Sequence, residues 1–264
     1  MVGTASGGDF RVGQVRRFPG GERRLLRLSS PTKFPDRVLT VASLVLGRPR
    51  QLGFAAVSSA AARLVVLASG GGRTLENLAQ NIQAGRLNAR IDLVIVSRKE
   101  AKALQRARDL GLMTLVIGRQ SHPDRERREH CLLGAILEAR PDFVIMAGWL
   151  QLLPIPPSLE GKVLNIHPAL LPAYGGRGYY GERVHQAVVA DGVPLSGCTV
   201  HFATEAYDEG PIVVQEAVAT RPGESADDLA ARVFEAEKRI YPEALDHLIE
   251  GRAYWQDGKV RWQL

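Results

Sequence analysis

Cysteine is scarce in this chain. It has two in 264 residues, Cys131 and Cys198, which neither form a CxxC pair nor suffice for a disulfide framework. They fall in a helical and a strand-like stretch and fit a reducing cytoplasm, the compartment expected here. Long apolar runs are missing as well. With no run of about 18 apolar residues, a membrane-spanning helix is excluded. Six histidines are present, but no pair has metal-ligand spacing, so no metal is expected. After residue 60 there is no repeat and no low-complexity tract.

Net charge is +6, yet it is unevenly placed. Residues 1–60 hold ten Lys/Arg against three Asp/Glu, net +7, leaving 24 against 25 in the rest, net −1. The basic character therefore belongs to the first segment, and the remainder gives no electrostatic reason to expect a nucleic-acid partner. Small molecules are the expected ligands. The first segment mixes Gly, Pro, Ser and scattered arginines, with apolar patches such as Val38 to Leu46 that keep no period. It reads as a mostly disordered extension without a catalytic part, although an Arg-rich, acidic-poor start also resembles an organellar transit sequence.

From Arg63 onward, short apolar runs alternate with helical stretches, the pattern of an α/β parallel sheet. Strands are expected at Leu64 to Ala68, Ile91 to Val96, Met113 to Ile117, Phe143 to Ala147, Val163 to Ile166, Cys198 to Ala203 and Ile212 to Ala217. Helices are expected after Gly72, where Leu75, Leu78, Ala79 and Ile82 recur at helical spacing, at Ala101 to Leu110, at Arg125 to Ala139, and at Ser225 to Ile249. Ser225 and Asp228 make a capping box for the last. Asp257-Gly258 between two short apolar runs signals a closing hairpin.

Three places could carry chemistry. Gly70-Gly71-Gly72, between a buried strand and a helix, offers free backbone N–H groups and a positive helix end to an anion, with Arg73 and Thr74 as further donors. Tight packing would ask for the same glycines. Asn165 and His167 stand two apart, so an extended segment puts both side chains on one face at a strand's carboxyl end, where parallel sheets bind ligands. Pro168 fixes the exit. Asp208 sits in the turn-rich loop Thr204 to Pro211, which could equally be a solvated turn, and His201 on the preceding strand reads as structural. An amide, an imidazole and a carboxylate from two separate loops are what is needed to hold a developing oxyanion and move a proton.

Residues 64 to 250 resemble the phosphoribosylglycinamide formyltransferases of the folate-dependent formyltransferase superfamily. The resemblance rests on Ser69-Gly70-Gly71-Gly72, Pro141-Asp142 leading into Ala147-Gly148-Trp149, Asn165 to Pro172, Gly197 to Phe202, Asp208-Glu209-Gly210-Pro211 and Ile240-Tyr241-Pro242. It implies a Rossmann-like, mostly parallel twisted sheet with helices on both faces, the formyltransferase fold, over residues 62–264, behind an irregular extension over residues 1–61. It further implies formyl transfer from 10-formyltetrahydrofolate to the amine of glycinamide ribonucleotide, a step of purine synthesis.

In that scheme Asn165, His167 and Asp208 are catalytic. Gly72, Arg73, Thr74 and Glu237 hold the nucleotide. Arg125, Leu150, Gln151, Leu152, Leu153, Thr204, Glu205, Ala206 and Tyr207 join Asn165 and Asp208 around the folate. Phe234 stands where many relatives have a polar nucleotide contact, Gln151 where many have arginine, and the connection 175–184 is longer than usual. Formyltetrahydrofolate deformylase, a hydrolase, is the alternative, and a non-catalytic nucleotide-binding protein the third reading. Pro168 directly after the histidine points to the transferase. A monomer or homodimer without membrane or nucleic-acid partners is expected.

Overall fold

A computed structural model describes residues 60–263. The reading of residues 1–61 as an irregular extension thus falls, apart from Ala60 and Ala61, outside the described residues.

Seven strands form one sheet: β1 (Ala62–Ala68), β2 (Ala89–Val96), β3 (Thr114–Val116), β4 (Phe143–Met146), β5 (Val163–His167), β6 (Leu195–Phe202) and β7 (Ile212–Ala219). Their spatial order is β3-β2-β1-β4-β5-β6-β7. The first five run parallel, and β6 and β7 are antiparallel to their neighbours. β1 is central and almost wholly buried, which explains a continuous apolar run where a half-exposed strand would alternate. Its side chains divide between two cores. Leu64, Val66 and Ala68 meet helices α1 (Arg73–Gln83), α2 (Lys102–Asp109), α4 (Glu182–Asp191) and α5 (Ala226–Ile249), whereas Val65 and Leu67 meet α3 (Arg125–Ala139). Helices therefore cover both faces of a mostly parallel sheet, as the resemblance implies.

Local signals are realised where they were strongest. The Ser225 hydroxyl accepts from the Asp228 N–H and the Asp228 carboxylate accepts from the Ser225 N–H, a complete capping box. The Asp257-Gly258 turn joins β8 (Ala253–Gln256) to β9 (Lys259–Trp262). Helix α4 was not foreseen within what read as a long connection. The Tyr241 hydroxyl on α5 reaches the carbonyls of Met146 and Leu164 at 3.2 and 3.0 Å, tying that helix beneath the ends of β4 and β5.

After β3 on one edge the chain returns to β4 on the other side of β1. That reversal opens a crevice at the carboxyl ends of β1 and β4, the usual ligand position in such sheets.

Candidate active site

A cleft of about 740 Å³ occupies this crevice. Its walls come from the turn after β1 (Ser69 to Thr74), the segment after β4 (Ala147 to Leu153), the end of β5 (Asn165 to Pro168), the loop 176–182, the loop after β6, and the α5 side chains Phe234 and Glu237.

Asn165 and His167 share one face of β5, and Asp208 arrives from the β6–β7 loop in a left-handed backbone conformation, φ 58°. Short-chain polar residues tolerate that region better than most. Two close approaches shape the loop. A Cβ on Gly210 would lie 1.7 Å from the Phe202 carbonyl oxygen, so that position requires glycine, and one on Gly175 would lie 2.5 Å from a Leu171 methyl, which would have to give way. Beneath β5, the buried Thr199 hydroxyl donates to Ala169 O at 2.6 Å and accepts from Leu171 N–H at 3.1 Å, fixing the chain just after His167.

The polar groups converge. Asp208 Oδ2 lies 3.5 Å from His167 Nδ1 and accepts from Gly176 N–H at 3.0 Å. Asp208 Oδ1 accepts from Asn165 Nδ2 at 3.3 Å. His167 Nε2 is 2.8 Å from the Tyr174 carbonyl, which can only accept, so Nε2 carries a hydrogen. His201 Nδ1 likewise donates to Phe202 O at 2.9 Å, leaving Nε2 to accept from Asn165 Nδ2 at 3.1 Å. Both N–H groups of the Asn165 amide are thus engaged by the protein. For Asn165 to donate to a ligand it has to release one, and the longer bond, to Asp208, is the weaker hold.

Burial dominates the electrostatics. It pushes the pKa of His167 down from its ordinary 6.5, and His201 pushes the same way, against the upward pull of Asp208 and the Tyr174 carbonyl. For Asp208, burial acts upward but loses. The His201 imidazole 3.7 Å from Oδ1, the charge of His167 and the Gly176 N–H hold the carboxyl below its usual range. The site therefore keeps a carboxylate beside an imidazole whose two nitrogens both face acceptors, an arrangement that favours the doubly protonated ring. Burial and local geometry oppose each other, so the proton on His167 is held loosely.

At the other end of the cleft, Gly72 has φ +75° and a Cβ there would lie 2.6 Å from Ala103 Cα, so packing alone demands this glycine. Gly70 and Gly71 have no protein atom in the way of a Cβ. Their bareness leaves open space in front of the turn. Helix α1 begins at this turn with no side chain capping it, so its first N–H groups are available. Arg73 and Thr74 line the same space, as does Glu237, whose carboxyl burial pushes up to about 7 against the opposing charge of Arg73. Along the opposite wall Leu150, Leu152 and Tyr207 stay 53%, 40% and 39% exposed. Bare apolar surface rimmed by polar groups marks a place for a ligand.

Of the residues singled out from the sequence, Gly72, Arg73, Thr74, Glu237, Leu150, Gln151, Leu152, Leu153, Asn165, His167, Thr204, Ala206, Tyr207 and Asp208 all line the cleft. Two do not. Arg125 opens α3, faces solvent and pairs with Glu129 one turn on at 2.7 Å, and Glu205 points outward from its loop. In this structure the Arg125 guanidinium is engaged by its i,i+4 carboxylate, outside the lining of the cleft.

Two contributors went unrecognised in the sequence. His201 pairs directly opposite Asn165 across β5 and β6, a register that spacing alone does not reveal. His185 on α4 is 5% exposed with Nδ1 unpartnered, and burial, aided by His167 and Arg73, lowers its pKa to about 4. The long 175–184 connection is part of the site, since its Gly176 holds Asp208 and its Tyr179 and Tyr180 line the cleft. Among the described residues no group of three His, Cys, Asp or Glu is placed to hold a metal ion.

Residues 62–245 match the family model described as formyl transferase. The chain is 34% identical over 200 residues to the chloroplastic phosphoribosylglycinamide formyltransferase of Vigna unguiculata, covering 75% of this chain and 64% of that protein. It is 32% identical over 204 residues to the phosphoribosylglycinamide formyltransferase of Escherichia coli K12, covering 74% of this chain and 94% of the other. Among solved structures, glycinamide ribonucleotide transformylase 1 from Symbiobacterium toebii superposes with a TM-score of 0.71 at 36% identity, over 78% of this chain and 95% of that one.

Proposed function

We infer the function from one premise: the chain belongs to the formyl transferase family. It is a folate-dependent formyltransferase that moves the formyl group of 10-formyltetrahydrofolate to the primary amine of glycinamide ribonucleotide in purine biosynthesis. The observation that carries this reading is the convergence of Asn165, His167 and Asp208 on one wall of the cleft, with bare apolar surface to one side and an uncapped helix start to the other.

The nucleotide's amine attacks the formyl carbon, and the carbonyl oxygen becomes an oxyanion. Asn165 turns an N–H from Asp208 toward it, and His167 supplies a proton or a hydrogen bond, its positive charge sustained by Asp208. The carbon–N10 bond then breaks, N10 takes the proton that the amine gives up, and tetrahydrofolate leaves. Asp208, held ionised by Gly176 and its neighbours, steadies His167 and relays the amine's proton through water on to N10. Gly70 to Thr74 take the phosphate, Glu237 the ribose end, and Leu150 to Leu153 with Thr204 to Tyr207 cover the pteridine. No metal is invoked.

Among the described residues no helix is long and apolar enough to cross a membrane. The cytoplasm is our reading for location, and a monomer or homodimer our reading for assembly. The deciding experiment incubates purified protein with 10-formyltetrahydrofolate, with and without glycinamide ribonucleotide, and follows tetrahydrofolate release. Release only with the nucleotide is expected. Equal release without it selects hydrolysis of the donor and overturns the assignment.

A further inference from the structure

Arg73 and Phe234 meet at the nucleotide end of the cleft. The Arg73 guanidinium carbon lies 4.0 Å from the centroid of the Phe234 ring, within the range where a cation is drawn to an aromatic face. Among the described residues Arg73 makes no ion pair and no hydrogen bond, its charge being felt by Glu237 and His185 across the cleft lining, so its ring contact is what positions it and its N–H donors stay unused. Lys238, the other cation near this ring at 5.9 Å, is engaged differently: its ammonium pairs with Glu235. A guanidinium with unused donors lining the cavity, beside a turn whose Gly70 and Gly71 leave open space, is placed to receive an anion.

Phe234 is the residue that the family resemblance sets apart, standing where that resemblance would place a polar nucleotide contact. The geometry accounts for the departure. A polar group on α5 would reach the phosphate itself, whereas the apolar ring holds the arginine of the neighbouring helix by its face and leaves all of its donors free for the ligand. A ring also fixes a flexible side chain without consuming hydrogen-bonding capacity, which a carboxylate in the same place would do.

We propose that Phe234 is a positioning residue for the phosphate monoester of the nucleotide, acting as the platform that aims Arg73 across the Gly70–Gly72 turn. The proposal rests on the reading of that turn as the phosphate end. It predicts that phosphate recognition is divided between α1, which supplies the charge, and α5, which supplies only its direction.

The test measures formyl transfer with glycinamide ribonucleotide and with its dephosphorylated riboside, for the wild type and for Phe234→Leu, Phe234→Tyr, Arg73→Ala and the Arg73→Ala/Phe234→Leu pair, alongside thermal melting of each. Leucine keeps the apolar bulk but has no aromatic face. At a partly exposed site, Phe234→Leu is expected to raise the nucleotide KM about threefold to fivefold with kcat unchanged, to leave the riboside's kinetics unmoved, and to add nothing in the Arg73→Ala background. Phe234→Tyr should restore the wild-type KM. If Phe234→Leu weakens nucleotide and riboside alike, or weakens the nucleotide equally without Arg73, the ring only packs and the proposal fails. If Arg73→Ala raises the nucleotide KM but Phe234→Leu does not, the phosphate reading stands and the platform alone is overturned. An unchanged nucleotide KM in Arg73→Ala removes the phosphate reading and the proposal together.

Discussion

Replacing Asp208 with asparagine keeps the shape of the side chain and changes little but its charge and one hydrogen-bonding end. The wild-type oxygens receive three N–H groups or charges: Asn165 Nδ2 at 3.3 Å on Oδ1, and Gly176 N at 3.0 Å with His167 Nδ1 at 3.5 Å on Oδ2. An amide can accept on one side only, so its NH2 must face a donor on the other. Orienting the amide oxygen toward Gly176 and His167 satisfies two of the three, at the expense of a donor-against-donor contact with Asn165. Losing that buried bond costs about 1–3 kcal/mol of stability, which lowers the melting temperature without unfolding the protein.

The catalytic loss is larger. At the 3.5 Å spacing of the His167–Asp208 pair, a full charge pair in an effective dielectric of about 20 attracts by about 4–5 kcal/mol. Part of that attraction is already present before reaction, so only the fraction that grows as the imidazole takes charge counts toward turnover. A deficit of about 3 kcal/mol, the scale found for removing one oxyanion-stabilising group, corresponds to a turnover reduced about 10²-fold. The sign of the pH effect follows from the same pair. Burial already holds the His167 pKa below 6.5, and Asp208 is the largest influence pulling it up. Without the carboxylate it falls further, so the limb of the rate profile set by His167 moves to lower pH. Single-turnover rates from acid to alkaline pH, with circular-dichroism melting as the folding control, read all three quantities. Turnover within tenfold of wild type, or a large loss with an unmoved profile, refutes the charge coupling.

Glu237→Gln tests the half-buried, desolvated carboxyl: its pKa of about 7 lies above the unfolded 4.5, so the stability associated with its proton is complete below 4.5 and is lost as pH rises through 7. The variant should therefore gain melting temperature relative to wild type at pH 8 but not at pH 5, and equal shifts at both would contradict the burial of this group. Gly72→Ala, forced to φ +75° and 2.6 Å from Ala103, should destabilise by about 1–3 kcal/mol in chemical denaturation. Gly71→Ala, with no neighbour within 4 Å, should leave the melting temperature unmoved and raise the nucleotide KM, and an unchanged KM would free that turn from phosphate binding. Tyr241→Phe removes the hydroxyl shared by the Met146 and Leu164 carbonyls and should lower stability by about 1–2 kcal/mol with KM values intact; unaltered denaturation would show that water replaces it.

What could be read from the residues alone follows the range of the interactions involved. The inner strands were legible because a parallel strand covered on both faces is a continuous apolar run, and β1 is that case. The capping box at Ser225 and the turn at Asp257-Gly258 were legible because each is settled within a few residues. Helix α4 was not. Only Val184, His185 and Val188 of its ten residues are buried, and it starts from Gly181 with no side-chain cap, so neither periodicity nor a start signal stood out. His185 was lost with it.

The site shows the same limit more sharply. Asn165 and His167 are two residues apart on one strand, so their common face follows from the pleat. The company they keep does not: His201 reaches Asn165 through antiparallel pairing 36 residues away, and Gly176 reaches Asp208 across 32. The glycine turn carried two explanations at once, and the structure divides them by position, giving Gly72 to packing and leaving Gly70 and Gly71 without a packing reason. A glycine that the fold itself does not need is informative about a ligand in a way that one it does need is not, and this separation, invisible in three identical letters, is what makes the open side of the turn the place to test for phosphate.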